Sequence, residues 1–111
     1  MKVKDLISVY AYRLTANFVV AMGESEINNT IIFKWDAEEN RHPDDGSFSN
    51  ILHYIPNDIS EATINHFSFI PKEMVIDGKI INTGNAETIY ITIPIYSNLY
   101  RYIEDDNYPF L

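Results

Sequence analysis

Apolar residues recur every four positions near the start of the chain: Leu6, Tyr10, Leu14, Phe18 and Met22, with Val3, Ile7, Ala11 and Ala21 widening the stripe. This spacing predicts one long amphipathic helix over residues 4–22. Gly23 supplies its stop. The β-branched pair Val19-Val20 runs against it. Such a helix is apolar over more than half its circumference, so it must pack under a sheet or into a dimer. Residues 23–29 are polar and read as a turn. Residues 30–36 (Thr-Ile-Ile-Phe-Lys-Trp-Asp) are β-branched and aromatic, as in a strand.

The middle of the chain lacks a sustained period. Residues 36–46 end in Pro43, Asp44-Asp45 and Gly46, the composition of an exposed loop. Residues 48–55 suit either a short helix capped by Ser49 or a strand from Ile51 to Ile55. Pro56-Asn57-Asp58 marks a turn. Residues 60–67 read as a short helix, with Ser60 as N-cap and Ile64 and Phe67 on one face. Pro71 bars its extension.

Met74 to Ile81 carries Asp77-Gly78, the pair that tolerates the positive φ of a two-residue hairpin turn. Thr83-Gly84-Asn85 marks a second turn. From Glu87 to Ser97 apolar and polar positions alternate. Ile89, Ile91, Ile93 and Ile95 share one side; Thr88, Tyr90, Thr92 and Tyr96 share the other. Pro94 lacks a backbone donor, which places that end at an edge or bulge. The last residues, from Leu99, read as a strand or a helical turn. The predicted fold is therefore α+β in one domain. One long N-terminal helix packs on a mostly antiparallel sheet with a C-terminal β-meander, and one or two short helices lie between.

Composition adds constraints. The 111 residues suffice for a core that hides roughly two-thirds of the unfolded chain's surface. There is no cysteine, which excludes a disulfide framework and any thiolate metal site. Sixteen acids oppose eight bases, for a formal net charge of -8. Phosphate backbones would repel such a chain, so nucleic acid is not an expected direct ligand. Seventeen Ile and eleven Asn suggest a low-GC codon bias, yet only five Lys occur. The acidity thus runs against the bias that Ile and Asn reveal. The longest uncharged run, residues 88–100, is too short and polar to span a bilayer, and no signal peptide stands out. A cytoplasmic location without membrane contact is the default expectation.

Catalytic motifs are weak throughout. Asp36, Glu38 and Asn40 alternate as at the start of an EF-hand loop, but Arg41 replaces the needed glycine and Ser47 the bidentate glutamate. Pro43-Asp44 and Asp77-Gly78-Lys79 share residue types with a PD-(D/E)xK nuclease site. The hairpin turn accounts for Asp77-Gly78 better. His42, His53 and His66 have no metal-site spacing. No nucleophile elbow or glycine-rich phosphate loop occurs. No cofactor is expected.

What remains is charge beside aromatics. Residues 36–46 carry five acids and one base, half the net charge. Trp35 precedes them. A second cluster, Glu104, Asp105 and Asp106, lies between Tyr102 and Tyr108. Aromatic anchors ringed by carboxylates suit a protein interface with a basic partner. The expected contact set is Trp35, Asp36, Glu38, Glu39, Asp44, Asp45, Tyr102, Glu104, Asp105, Asp106 and Tyr108. The leading expectation is a small acidic inhibitor, such as an immunity protein or phage-type protein. It would occlude the cationic surface of a toxin or nucleic-acid-acting enzyme. Two alternatives stand beside it. One is a structural subunit that self-associates through a sheet edge, as a homodimer for example. The other is a small enzyme or ligand-binding domain with a pocket between helix and sheet.

Overall fold

In the computed structural model the periodic N-terminal segment is not one helix. The structure describes residues 1–10, 14–25, 28–71, 73–82 and 87–104. Helix α1 spans only Val3–Val9, and strand β1 occupies Asn17–Gly23. The long helix expected over 4–22 is thus overturned. A repeat of four is also two turns of a two-residue period, so Phe18 and Met22 suit a strand as well as a helix. In β1 the five residues from Phe18 to Met22 are all buried. What read as an apolar helix covered on most sides is a central strand covered on both faces. Val19-Val20 supports that choice. Helix α1 opens with the Lys2 N–H donating to the Asp5 carboxylate at 3.1 Å, and buries Val3, Leu6 and Ile7.

Strand β2 (Asn29–Trp35) returns antiparallel to β1. A register shift opposite Val20 and Ala21 leaves Ile32 as the extra residue, and both Ile32 and Phe33 are buried in the core. A 3-10 turn at Ile51–His53 resolves the ambiguous segment, with the Asn50 side chain accepting the Leu52 N–H at 3.0 Å. Helix α2 is Asn57–Ser60, not residues 60–67. Ser60 ends it, and its hydroxyl donates to the Asn57 carbonyl instead of capping a new helix. The chain then runs extended beside the N-terminus, where the Ile64 N–H bonds to the Met1 carbonyl at 2.8 Å. It becomes strand β3 (His66–Ile70). Alternation of Phe67 and Phe69 with Ser68 was the overlooked strand signal.

Strands β4 (Glu73–Ile76) and β5 (Lys79–Asn82) form the expected hairpin. Asp77 and Gly78 have φ of 52° and 77°, as the tight turn requires. Strand β6 (Thr88–Ile93) stops before Pro94. The four-stranded sheet has the order β2-β1-β6-β3, and β4-β5 is a separate ribbon. The three-stranded meander is therefore a further correction. Strand β6 does not pair with β5; it runs parallel to β1 and antiparallel to β3. The second predicted turn, at 83–85, lies outside the described residues.

One face of the sheet presents Phe18, Val20, Ile89, Ile91 and Ile93 to a layer made by α1, the 3-10 turn and α2, with Ile7, Ile51, Ile59 and Leu99 buried between. On the other face, the Tyr90 hydroxyl reaches over β1 to donate to Asn29 of β2 at 2.9 Å. A short helix α3, Arg101–Glu104, follows a 3-10 turn at Ser97–Leu99. Among the described residues, no helix is long and apolar enough to cross a membrane.

Candidate interaction surface

The register separates the two acidic clusters. Trp35 pairs with Phe18, so the loop 36–46 leaves the sheet at the end where β1 begins. Helix α3 follows β6 and so lies beyond the end where β1 finishes. A seven-residue strand spans about 20 Å. The predicted contact residues therefore do not form one patch.

Trp35 belongs to the core. It is 5% exposed and its ring lies 5.4 Å from that of Tyr54. Its indole N–H is buried without a hydrogen-bond partner among the described residues. The loop that follows is tied to itself. Asp36 accepts the backbone N–H groups of Glu38 and Glu39 at 2.9 and 3.1 Å. Arg41 pairs with Glu38 at 3.1 Å, donates to the Gly46 carbonyl at 2.9 Å, and covers the Phe48 ring at 4.7 Å. Asp45 accepts from the backbone N–H and hydroxyl of Ser47, and these bonds lower its carboxyl pKa. Three of the five carboxylates thus shape the loop, while Glu39 and Asp44 stay exposed.

Tyr102 is a strut and not a free anchor. Its hydroxyl donates to Asp58 of α2 at 2.6 Å, and burial raises its pKa. Arg101 pairs with the other oxygen of Asp58. Glu104 ends α3. Asp105, Asp106 and Tyr108 lie outside the described residues.

A cleft of about 300 Å³ lies between α2 and the turn before α3, lined by Asp58, Glu61, Ala62, Thr63, Tyr96, Asn98 and Leu99. Its carboxylates are already engaged: Glu61 holds Lys2 at 2.7 Å and Lys4 at 2.5 Å. Its hydrogen bonds to these lysines, Lys2 first, drop the Glu61 pKa to about 2. Among the described residues, no group of three His, Asp or Glu could hold a metal ion.

The conspicuous surface lies elsewhere. Strand β3 is an outer strand of the sheet, and among the described residues no strand pairs with its outer side. Phe67 and Phe69 face the same side as Ile91 and Ile89 but are 49% and 46% exposed; Phe69 meets the helical layer at Tyr10, the end of α1, with ring centroids 6.3 Å apart. Beyond Ile70 the chain projects as the β4-β5 ribbon, an arm that pairs only with itself among the described residues. Val75 and Ile80 sit opposite each other in it and are 71% and 73% exposed.

Comparison with known proteins finds nothing similar. No family model, curated protein or solved structure matches the chain. The surface must be read from its own chemistry. Pro94 pointed to an edge or bulge at the end of the alternating segment 87–97, but β6 has a neighbour on both sides. Among the described residues, no strand pairs with the outer edge of β3, which belongs to the segment first read as a helix. The signal that could have found it was present: five residues of alternating aromatics without Asp, Glu, Lys or Arg, followed by a hairpin whose strands are mostly aliphatic.

Proposed function

We propose that this chain is an association subunit: a small domain that binds through the outer edge of β3 and the β4-β5 arm, and builds an assembly with further copies of itself. The observation that carries this reading is the Val75–Ile80 pair. Two large aliphatic side chains stand opposite each other on a projecting ribbon, mostly in water. Exposed apolar surface that is contiguous and raised from the body marks an interaction site. Edge strands are normally protected by charge or Pro, and β3 carries neither. The experiment is sedimentation equilibrium of the natural chain beside the double variant Val75→Asp, Ile80→Asp. The natural chain sediments above 12.9 kDa at micromolar concentration, and the variant sediments as a monomer with its fold intact. A natural chain that stays monomeric at 100 µM ends this reading.

The self-tied loop 36–46 favours a second reading, in which an acidic surface meets a basic protein. Arg41 and Asp36 hold the backbone in place, so Glu39 and Asp44 are presented without the entropy cost of ordering a free loop. Replacing Glu39→Gln and Asp44→Asn leaves the loop's own bonds intact. Salt-sensitive binding to a basic partner is then lost; binding that survives both changes removes the electrostatic reading.

A further inference from the structure

We infer that two copies of this chain join edge to edge through β3, antiparallel and two-fold about Ser68, to make one continuous eight-stranded sheet. This rests on the association reading above and specifies its geometry. A two-fold interface must be self-complementary, with residue i facing j and j facing i. The strand His66–Ile70 meets this condition. Pairing about Ser68 places Phe67 opposite Phe69 of the second copy, and Phe69 opposite its Phe67. All four rings then lie on the side of the sheet that carries Ile89 and Ile91. They fill the gap between the two helical layers, which each copy alone leaves half exposed. Cross-strand aromatic pairs of this kind stabilise a sheet directly.

Charge distribution favours the same contact. Two chains of net charge -8 repel at a distance. The acidic loop, however, follows β2, at the opposite edge of the sheet from β3. Three strand spacings, about 14 Å, separate the two edges. Strand β3 itself has no Asp, Glu, Lys or Arg. Joining through β3 therefore keeps the densest negative charge on the outside of the pair, more than a Debye length from the contact.

The apolar area supports the contact. The exposed parts of Phe67, Phe69 and Ile70 and of one face of the arm, Val75 and Ile80, amount to roughly 500 Å² per copy, against about 800 Å² per partner in a standard stable interface. The paired main chains and polar rim contribute the remainder. In the antiparallel pair the Ile70 end of each β3 lies beside the His66 end of the other. Each arm begins three residues beyond Ile70, and so starts close to the His66 end of the second copy's β3.

The absence of cysteine makes the register directly testable. In Ser68→Cys the two introduced thiols lie opposite each other, with Cα atoms about 4.5–5.5 Å apart, within disulfide reach. In Ile70→Cys the two thiols are four residues out of step, about 13 Å apart along the strands. Each variant is oxidised at micromolar concentration and run on a non-reducing gel, with circular dichroism of the reduced form as the check on folding. The expected result is a covalent dimer for Ser68→Cys and a monomer for Ile70→Cys. Phe67→Lys with Phe69→Lys shifts the uncrosslinked chain to monomer. A natural chain that is oligomeric while Ser68→Cys fails to crosslink, or while Ile70→Cys crosslinks equally, overturns this pairing and leaves association through another surface. A natural chain that is monomeric at 100 µM overturns both.

Discussion

Adding one methyl group at Gly23 separates the observed fold from a helical N-terminal segment. A Cβ built there sits 2.3 Å from the Asn28 carbonyl oxygen and 2.5 Å from the Asn29 Cα, where ordinary contact begins near 3.4 Å. The deficit exceeds 1 Å, and the opposing atoms are main chain at the start of β2. They cannot rotate aside as a side chain would. Overpacking costs about 1–3 kcal/mol, and main-chain obstruction puts Gly23→Ala toward the upper end. That corresponds to a fall in Tm of roughly 10 °C for a chain of this size. Urea unfolding followed by the fluorescence of Trp35, the sole tryptophan, measures it. Protein concentration is held fixed, because association shifts apparent stability. Gly23→Asn supplies the contrast. At a helix C-terminus Asn substitutes well for Gly, since it accepts the left-handed conformation. Against the Asn28 and Asn29 main chain it fails as badly as Ala. Gly78→Ala is the internal control: nothing lies within 4 Å, but φ is +77°, so it costs about 1–2 kcal/mol through conformation alone. A Gly23→Ala variant within about 0.5 kcal/mol of the natural chain, or Asn restoring what Ala loses, would refute the steric argument.

Glu61 sets an acid limit. Its folded pKa of about 2 is below the 4.5 of the free group, so its contribution to stability is present above 4.5 and is lost as pH falls toward 2. Thermal melts of the natural chain and Glu61→Gln therefore differ near neutral pH and converge through that window; a constant gap down to pH 2 contradicts the assignment. Tyr102→Phe removes the hydroxyl that ties α3 to Asp58, and about 1–2 kcal/mol of stability with it. The same loss in an Asp58→Asn background, measured as a double-mutant cycle, would show that the bond to the carboxylate contributes nothing of its own.

Some elements were legible because their signal is local. Asp77-Gly78 between β-branched runs could hardly be anything but a tight hairpin, and residues 30–35 had no competing period. Pro94 marked the end of β6 correctly in place, though the strand proved central. The N-terminal segment failed for a definable reason. Leu6, Tyr10, Leu14, Phe18 and Met22 satisfy both a helix and a strand, and local periodicity cannot say which residues gain a second buried face. That decision came from β6, far along the sequence, pairing with β1. Ser60 misled similarly, because Pro56, as N-cap, already starts a helix at Asn57. Of the candidate contact residues, the loop carboxylates were located correctly in an exposed segment. What the sequence could not reveal was their division of labour, since the roles of Asp36, Glu38 and Asp45 depend on where Arg41 and Ser47 fold back. Trp35 and Tyr102 carried the composition of an interface, yet each is consumed by internal contacts.

The centre of the sheet joins Asn17–Met22 to Thr88–Ile93. Protein synthesis runs in one direction, so β1 emerges from the ribosome long before the strand that completes it. The β1-β2 hairpin can close early, but one side of β1 stays open until residue 93 has cleared the exit tunnel. Closure across so long a span is slow, and it leaves Phe18, Val20 and Met22 accessible meanwhile. A chain halted before β6 is therefore not a smaller version of the same domain but a substrate for chaperones and proteases, and folding is committed only when the last strand arrives.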